Sequence, residues 1–384
     1  MPSLFLVVGE RSGDRHGAGL IESLRARTKE EWSFSGLGGP QMKSLASGID
    51  DWVEEAGVVG LVEVLRKYGW FRQKFAATLQ RILSEQPDAV VLIDYPGFNL
   101  RLAKALRKAK FPGKIIYYIS PQVWAWHRGR IPEMARMLDL MLCIFPFEKA
   151  LYEGFGLKTE FAGHPLVAWH RKQDRGLVRE ENLIGLFPGS RKREITKLFP
   201  VLLEAGKLLA AKFPNSQFVA SAASPKLAAI MEEMAAANPL PNLKIETGNV
   251  YDLMRQCTVG AVASGTATLE AAILGLPHCL IYKVAAPTYY IGKQLIKVPY
   301  LGIINILAGR ELVKELIQQA CTGQTISCEL TRLMESAATR DQLTKELNQI
   351  LHQLGDGDAY ARAAQLVSEC LTAVPQKAAH LSGG

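Results

Sequence analysis

The sequence predicts an α/β protein made of two domains, each a parallel sheet flanked by helices, with further helices at the C-terminal end. Three observations predict this fold class. Apolar runs of strand length alternate with helical stretches, the alternation breaks at a charged segment and then restarts, and 384 residues exceed one ordinary core. The hydrophobic fraction of 48% with 21% charged residues is typical of a globular chain. We therefore expect two Rossmann-like domains that face each other across a cleft.

The first predicted domain, residues 1–168, alternates strands with helices. Its strand candidates are mostly continuous apolar runs, as expected for strands that are covered on both faces. They are residues 4–8, 33–37, 89–94, 114–120 and 140–145. The helical stretches between them include residues 14–27, 61–85 and 99–110.

The pattern stops and then restarts in the second half of the chain. Residues 164–181 lose the apolar periodicity and are rich in charge, so we assign 169–181 as a linker. A second domain, 182–339, has strand candidates at 183–187, 217–221, 243–246, 259–263 and 279–282, with helices such as 193–213 and 266–274. Residues 340–384 carry an amphipathic helical pattern and are expected to pack back onto the first domain or onto a partner subunit.

Charge and composition narrow the classes of partner. The net charge of +8 predicts an anionic partner, but Lys and Arg form no long basic block, which disfavours nucleic acid. The six cysteines contain no C-x-x-C pair, which favours buried thiols in a reducing cytosol over a metal or disulfide framework. No apolar run approaches the ~20 residues of a membrane helix, and the first apolar run is too short for a secretory signal. We expect a protein that is soluble or peripheral to a membrane.

Two strand–loop–helix junctions predict a nucleotide diphosphate site in the second domain. Each leads from an apolar strand into small, hydroxylated residues and then a helix, where unpaired N–H groups attract phosphate. Neither is a P-loop or a dinucleotide fingerprint, so kinases and dehydrogenases are disfavoured. Glu270 would bind the ribose hydroxyls, and Tyr282, Lys283 and Asn305 follow later strands on the same side. The phosphate-binding candidates are Gly189, Ser190, Arg191, Ser264, Gly265 and Thr266.

Asp94 is the candidate catalytic residue. It comes at the end of the buried strand 89–94, and in this architecture that end faces the ligand. A carboxylate there can act as a general base that deprotonates a hydroxyl. The alternative is a helix cap, for which Asn99 competes because it lies nearer the apolar-periodic start of the next helix.

Two further segments of the first domain, and His164 near its end, are candidates for binding an acceptor. In the first loop, Ser12 could cap the following helix, and His16 is either a second candidate base or a surface residue. The segment 120–130 combines tryptophans with basic residues, which suits a sugar phosphate, although a proline turn anchored by core tryptophans explains it equally. The acceptor-side candidates are Glu10, Ser12, Asp14, Asn99, Gln122, Trp124, Arg128 and His164.

The segment 58–75 has the composition of a membrane-contacting element. Apolar side chains stand beside cations that suit phosphate headgroups. A core-facing helix with a solvated basic side is the alternative. The candidate membrane contacts are Leu61, Val62, Leu65, Trp70, Phe71 and Phe75.

Taken in order, the motifs resemble those of the lipid-A-disaccharide synthase family. The resemblance covers nearly the whole chain up to about residue 318, and Gly97 departs from it because many members have a second acid there. The matching motifs are Gly9-Glu-x-Ser-Gly-Asp14, Gly36-x-Gly-Gly-Pro40-x-Met42, Gly60-x-x-Glu63-Val-Leu65, Ile93-Asp94-x-Pro-x-Phe-Asn99, Ser120-Pro-Gln-Val-Trp-Ala-Trp126, Phe145-Pro-Phe-Glu148, Gly163-His-Pro165, Pro188-Gly-Ser-Arg191, Ser264-Gly-Thr-Ala-Thr-Leu-Glu270, Asn305 and the segment 311–318 that ends in Gln318.

The resemblance implies a GT-B type, inverting glycosyltransferase of lipid A synthesis in Gram-negative bacteria. It would move 2,3-diacylglucosamine from UDP to the 6-hydroxyl of 2,3-diacylglucosamine 1-phosphate, with Asp94 as the essential acid and Arg191, Asn305 and Gln318 on the UDP side. The enzyme would work without a metal or cofactor at the inner face of the inner membrane, and its C-terminal helices permit a homodimer. The alternatives are another UDP-sugar enzyme, such as an epimerase, and a non-catalytic lipid- or nucleotide-binding protein.

Overall fold

The computed structural model describes residues 1–27, 31–56, 68–173, 176–285, 289, 298–355 and 357–372. The chain divides into two compact units. The first contains Met1–Ala168 and the chain from Leu354 onward, and the second is Trp169–Gln353. Each unit is built on one parallel sheet flanked by helices, so the predicted α/β class is confirmed.

The sheet of the first unit has seven parallel strands in the order β3-β2-β1-β4-β5-β6-β7. They are β1 Ser3–Val7, β2 Ser33–Gly38, β3 Gly48–Asp51, β4 Ala89–Ile93, β5 Lys114–Tyr118, β6 Leu140–Cys143 and β7 Thr159–Phe161. The helices are α1 Arg11–Arg27, α2 Pro40–Leu45, α3 Val53–Ala56, α4 Tyr68–Glu85, α5 Pro96–Lys108, α6 Val123–Trp126, α7 Ile131–Met137, α8 Pro146–Glu153 and α9 Pro165–Lys172, the last of which ends in the second unit.

The strand order of this sheet reverses between β1 and β4. Both strands lie in the middle of the sheet and are almost wholly buried, because their side chains are apolar on both faces. In a doubly wound sheet, ligands bind beyond the carboxyl ends of the strands at such a reversal. The fold therefore brings the loop after β1 and the loop after β4, which begins with Asp94, to the same edge.

The sheet of the second unit has six parallel strands in the order β10-β9-β8-β11-β12-β13. They are β8 Glu180–Phe187, β9 Gln217–Ala222, β10 Leu243–Thr247, β11 Cys257–Ala263, β12 His278–Tyr282 and β13 Glu315–Ile317. The reversal lies between β8 and β11, so the two phosphate-loop candidates are neighbours. The helices are α10 Lys192–Lys212, α11 Pro225–Ala237, α12 Val250–Gln256, α13 Thr266–Ile273, α14 Ile303–Ala308, α15 Gly323–Glu335 and α16 Ala337–His352.

Several elements differ from the sequence-based expectations. The edge strands β3, β7 and β13 were not predicted, because they are only three or four residues long and carry little apolar pattern. The segment 169–181, which was interpreted as a charged linker, contains the second half of α9 and the first residues of β8.

The C-terminal helices belong to different units. Helix α16 packs against α13, α14 and α15 of the second unit, with Leu343, Leu347 and Leu351 buried. Helix α17, Ala359–Thr372, packs on α1 of the first unit. The Tyr360 ring lies 2.8 Å from where a Cβ of Gly19 would stand, so only glycine permits this contact. The return to the first unit thus begins at Leu354 rather than at residue 340.

Candidate active site

Asp94 directly follows β4 in a left-handed backbone conformation. The φ angles of Asp94 and Tyr95 are 47° and 50°, a region that costs a non-glycine residue about 1–3 kcal/mol. The carbonyl oxygen of Asp94 accepts hydrogen bonds from the Tyr117 hydroxyl at 2.6 Å and from Asn99 Nδ2 at 2.7 Å. Its N–H donates to the carbonyl of Tyr118 at 3.0 Å. These bonds hold the backbone of Asp94 in one conformation, which is typical of a functional site.

The electrostatic environment of Asp94 suits a general base. Burial and, to a lesser extent, the nearby Glu10 carboxylate raise the pKa of Asp94 to about 6, against the lowering effect of the Tyr95 backbone N–H. Such a carboxylate is ionised at neutral pH and more basic than an ordinary aspartate. Helix α5 begins at Pro96 with Tyr95 as its N-cap, so Asp94 is not the helix cap.

Asn99 is fully buried in the first turn of α5 and does not cap the helix either. Its Nδ2 group lies within hydrogen-bond distance of the carbonyl oxygens of Val7, Ile93 and Asp94. Asn99 therefore links the ends of β1 and β4 and holds the backbone of Asp94 in place.

The loop after β1 contributes both exposed and structural residues. Glu10 and Ser12 are exposed, and because α1 begins at Arg11, Ser12 lies in the first turn rather than at the cap. Asp14 is only 2% exposed. Its carboxylate accepts hydrogen bonds from the backbone N–H groups of Gly39, Gln41 and Met42 at 2.8–3.0 Å. Asp14 therefore anchors the start of α2 instead of presenting its carboxylate to solvent.

Two buried histidines of the first unit, His16 and His164, are held neutral. Burial lowers the pKa of both His16 and His164 to about 3, with the Arg15 charge adding to the effect at His16. His16 Nδ1 lies 3.0 Å from the Tyr360 hydroxyl of α17, and His164 packs on the Phe145 ring with centroids 5.3 Å apart. An imidazole with so low a pKa is a weak base. The pKa values therefore favour Asp94 over His16 as the general base.

Trp124 is a core residue rather than an exposed platform. It is 4% exposed, its Nε1 donates to Glu148 Oε1 at 2.8 Å, and its ring meets Phe147 edge-on. The sequence interpretation did not assign a role to Glu148, although it ends the motif Phe145-Pro-Phe-Glu148. Burial raises the pKa of this carboxyl to about 7. The neighbouring Gln122 and Arg128 are exposed.

A cavity of about 550 Å³ in the second unit is lined by both predicted phosphate loops. Gly189 and Gly265 stand there with φ angles of 102° and 139°, which favour glycine. Other walls come from the ends of β9 and β10 and from α12. The predicted lining residues found here are Gly189, Ser190, Arg191, Ser264, Gly265, Thr266 and Glu270.

The hydrogen bonds of the two loops show which groups remain for a ligand. The N–H groups of Ser190 and Arg191 donate to Glu194 Oε2 at 3.1 and 3.3 Å, so this loop is stabilised by its own helix. The Arg191 side chain is 67% exposed. In the described part of the chain, the N–H groups of Thr266 and Ala267, at the start of α13, donate no hydrogen bond. These two N–H groups are donors available to an anion, and so is the Arg191 guanidinium, one nitrogen of which also pairs with Glu194 Oε1 at 3.2 Å.

Three other predicted nucleotide-side residues are absent from the described lining of this cavity. Asn305 is 1% exposed, and its amide bonds the backbone of Leu312 and Val313 and the Glu315 carboxylate. Gln318 is 7% exposed and bonds the backbone of Val284. Tyr282 is half-buried, and burial together with Glu194 raises the pKa of its hydroxyl.

Of the candidate membrane contacts, Leu61, Val62 and Leu65 lie outside the described residues. The remaining three, Trp70, Phe71 and Phe75, are partly buried in α4. The Trp70 ring stacks on Trp52 with centroids 6.0 Å apart, and Phe75 meets Phe98 edge-on at 5.4 Å.

Phe71 and Phe75, together with Tyr95 and Phe98, line an open groove of about 440 Å³ in the first unit. Tyr68, which is 60% exposed, and the exposed Arg72 and Arg101 stand on its rim. Gly97 also lines it, and a Cβ there would meet nothing within 4 Å. The three aromatics thus pack against neighbouring rings or the core of the unit, and Phe71 and Phe75 also line the groove.

Neither a membrane span nor a metal cluster is found in the described residues. No described helix is both long and apolar enough to cross a bilayer. Within the same residues, no three His, Cys, Asp or Glu side chains are grouped so that they could hold a metal ion.

A parallel sheet in each unit, a carboxylate after a central strand and a cavity lined by two strand–loop–helix junctions form a fold of the kind found in GT-B glycosyltransferases and sugar-nucleotide epimerases. The chain resembles the structure of a putative UDP-N-acetylglucosamine 2-epimerase from Listeria monocytogenes, with a TM-score of 0.65, 12% identity and 96% of both chains covered. It also resembles CalG4, the calicheamicin glycosyltransferase, with a TM-score of 0.56, 14% identity and coverage of 96% and 97%. Such likeness shows the fold alone.

Sequence comparison identifies the family. The model of the lipid-A-disaccharide synthetase family matches residues 4–370. The lipid-A-disaccharide synthase of Geobacter metallireducens is 40% identical over 96% of this chain and 97% of its own length. That of Persephonella marina is 34% identical over 96% and 99%. The chain belongs to the lipid-A-disaccharide synthase family, and the expectation of a UDP-sugar-dependent glycosyltransferase of lipid A synthesis is confirmed.

Proposed function

We propose that the protein transfers 2,3-diacylglucosamine from UDP to the 6-hydroxyl of 2,3-diacylglucosamine 1-phosphate, with inversion at the anomeric carbon. The observation that carries this proposal is Asp94, a half-buried carboxylate with a raised pKa on a fixed backbone in a chain of this family. Asp94 takes the proton of the acceptor hydroxyl as that oxygen attacks the anomeric carbon. The bond from this carbon to the diphosphate breaks, and UDP leaves with the bonding electron pair.

The second unit supplies the groups that hold the donor and stabilise the leaving diphosphate. The Arg191 guanidinium and the N–H groups at the start of α13 donate to the phosphate oxygens, whose negative charge grows as the bond breaks. Glu270 accepts hydrogen bonds from the ribose hydroxyls. Tyr282, Asn305 and Gln318 support this site from outside its lining.

The acceptor is held by the first unit. The exposed Glu10, Ser12, Gln122 and Arg128 are the groups proposed to contact its hydroxyls and phosphate. Buried residues hold the neighbouring segments in place: Asp14 fixes the start of α2, and Asn99 fixes the end of β4. Trp124 ties the segment after β5 to Glu148, and His164 packs on Phe145 after β6.

A transfer assay tests the reaction. With labelled UDP-2,3-diacylglucosamine, we expect label in a disaccharide only when 2,3-diacylglucosamine 1-phosphate is present, because the acceptor hydroxyl is the nucleophile. An isomerised sugar nucleotide formed without acceptor would support an epimerase instead. A protein that binds the donor but never turns it over would support a binding function.

We further propose that the enzyme works in the cytoplasm on the inner face of the inner membrane, where Trp70, Phe71, Phe75 and the undescribed Leu61, Val62 and Leu65 contact lipid. The exposed Arg72 and Arg101 beside the aromatic groove support this, since cations next to apolar side chains suit anionic headgroups. We also propose that two copies of the chain form a homodimer through their C-terminal helices.

Replacement of Trp70, Phe71 and Phe75 by Ser is expected to weaken co-flotation with liposomes that contain anionic phospholipid, because the apolar contact is lost while the charge is kept. The matched control replaces three exposed apolar residues elsewhere, Phe155, Val178 and Leu208, by Ser. If both variants floated as well as the parent, the three aromatics of α4 would not be part of the membrane contact.

A further inference from the structure

We propose that Tyr251 is a positioning residue of the nucleotide site, whose hydroxyl orients the Glu270 carboxylate to accept hydrogen bonds from the ribose hydroxyls. The inference rests on the proposed function, in which Glu270 binds the ribose. Tyr251 lies in α12 and Glu270 in α13, and both line the 550 Å³ cavity. Tyr251 belongs to none of the motifs that the sequence analysis singled out.

The contacts of the carboxylate show how its orientation is set. The Tyr251 hydroxyl donates to Glu270 Oε1 at 3.0 Å, and His170 Nε2 lies 4.0 Å from the same oxygen. The Tyr251 hydroxyl thus forms a hydrogen bond to this oxygen, and the imidazole lies beside it beyond hydrogen-bond distance. A carboxylate offers about four acceptor positions, so the bond from Tyr251 restrains its orientation and leaves positions that accept from a ligand.

The Tyr251 ring is itself held in place by two aromatic neighbours from α9. It meets Trp169 and His170 edge-on, with centroid distances of 5.2 and 4.7 Å. His170 is only 2% exposed, so this packing lies inside the unit. A hydroxyl on a ring fixed in this way is preorganised, because its rotamer freedom is lost on folding and not on ligand binding.

This arrangement predicts a selective effect on ribose recognition. The base and diphosphate contacts of UDP are shared by 2′-deoxy-UDP, whereas the hydrogen bond from the 2′-hydroxyl is not. A residue that orients Glu270 should therefore change the preference for UDP over 2′-deoxy-UDP. A residue that merely stabilises the cavity would change the affinity for both nucleotides equally.

The test is Tyr251→Phe, which removes the hydroxyl and keeps the ring packing. Titration calorimetry with UDP and 2′-deoxy-UDP should show that the parent protein prefers UDP. In the variant, the affinity for UDP should fall about three- to tenfold, the range of one ordinary hydrogen bond, with 2′-deoxy-UDP little changed. Tyr300→Phe, elsewhere in the second unit, is the matched control and should retain the parent's preference.

A double-mutant comparison separates action through Glu270 from a direct effect. In a Glu270→Ala background, Tyr251→Phe should cause no further loss of UDP affinity, because coupled residues are not additive. An unchanged preference in Tyr251→Phe, an equal loss for both nucleotides, or additive losses in the double variant would overturn the inference. A parent protein that binds neither nucleotide would instead contradict the proposed function.

Discussion

Asp94→Asn is expected to lower turnover by about 10²–10⁴-fold, the usual contribution of a positioned general base. The amide is nearly isosteric but cannot take the proton of the acceptor hydroxyl, while the backbone bonds from Tyr117 and Asn99 do not involve the side chain. The loss should therefore appear in kcat rather than in the KM of the donor, and initial rates at saturating donor and acceptor would measure it.

The pH dependence provides an independent signature of the same group. Because the pKa of Asp94 is raised to about 6 and the base must be ionised, kcat/KM of the parent should rise with pH through about 6 and then level. The residual activity of Asp94→Asn should lack this rise. A parent profile that is flat between about pH 5 and pH 7 would contradict the assignment.

The stability of this variant separates chemistry from folding. A carboxyl whose pKa is higher in the folded than in the unfolded state stabilises the fold at low pH, and this stabilisation is lost as the pH rises through about 6. At pH 7 the ionised Asp94 therefore destabilises the protein, and the neutral Asn should give a Tm at least as high. The control Asp341→Asn changes an exposed carboxylate of α16 and should keep full turnover. Full turnover in Asp94→Asn would show that Asp94 is not the general base.

Arg191→Ala is expected to lower kcat/KM for the donor by about 10²–10³-fold, as when one preorganised donor to a developing negative charge is removed. Its side chain is exposed toward the cavity, so truncation costs the fold little. Arg191→Lys keeps the charge but loses the planar fork of donors, and should recover only part of the loss. Steady-state kinetics with varied donor would measure both.

The control for Arg191 is Lys226→Ala, which removes an exposed positive charge of the same unit away from the described cavity lining. It should leave kcat/KM unchanged, which excludes a general effect of net charge. If Arg191→Ala and Lys226→Ala had the same kinetics, the diphosphate would have to be bound by other groups.

The position of Asp94 could be predicted because its signal is local. Five apolar residues lead directly to a carboxylate, and a buried parallel strand must end where its apolar run ends. The two phosphate loops followed from the same kind of signal. The left-handed conformation at Asp94 and Tyr95 could not be predicted, since it depends on the Tyr117 hydroxyl from the neighbouring strand.

Roles that depend on contacts distant in sequence were missed or assigned differently. The glycine-rich loop around Asp14 favours a ligand contact in the sequence. In the structure, however, its partners are the backbone N–H groups of Gly39, Gln41 and Met42, more than twenty residues away. In the sequence, Glu148 is one charged residue at the start of a helix. Its role becomes visible only through its hydrogen bond from the buried Trp124 indole. Periodicity carries no information about such partners.

The docking of α17 on α1 has a consequence for how the protein is made. Synthesis releases α1 from the ribosome long before Tyr360, so the face of α1 around Gly19 stays uncovered while the whole second unit emerges. This face of α1 can therefore be covered only after α17 has been synthesised. Until then it stays accessible to chaperones.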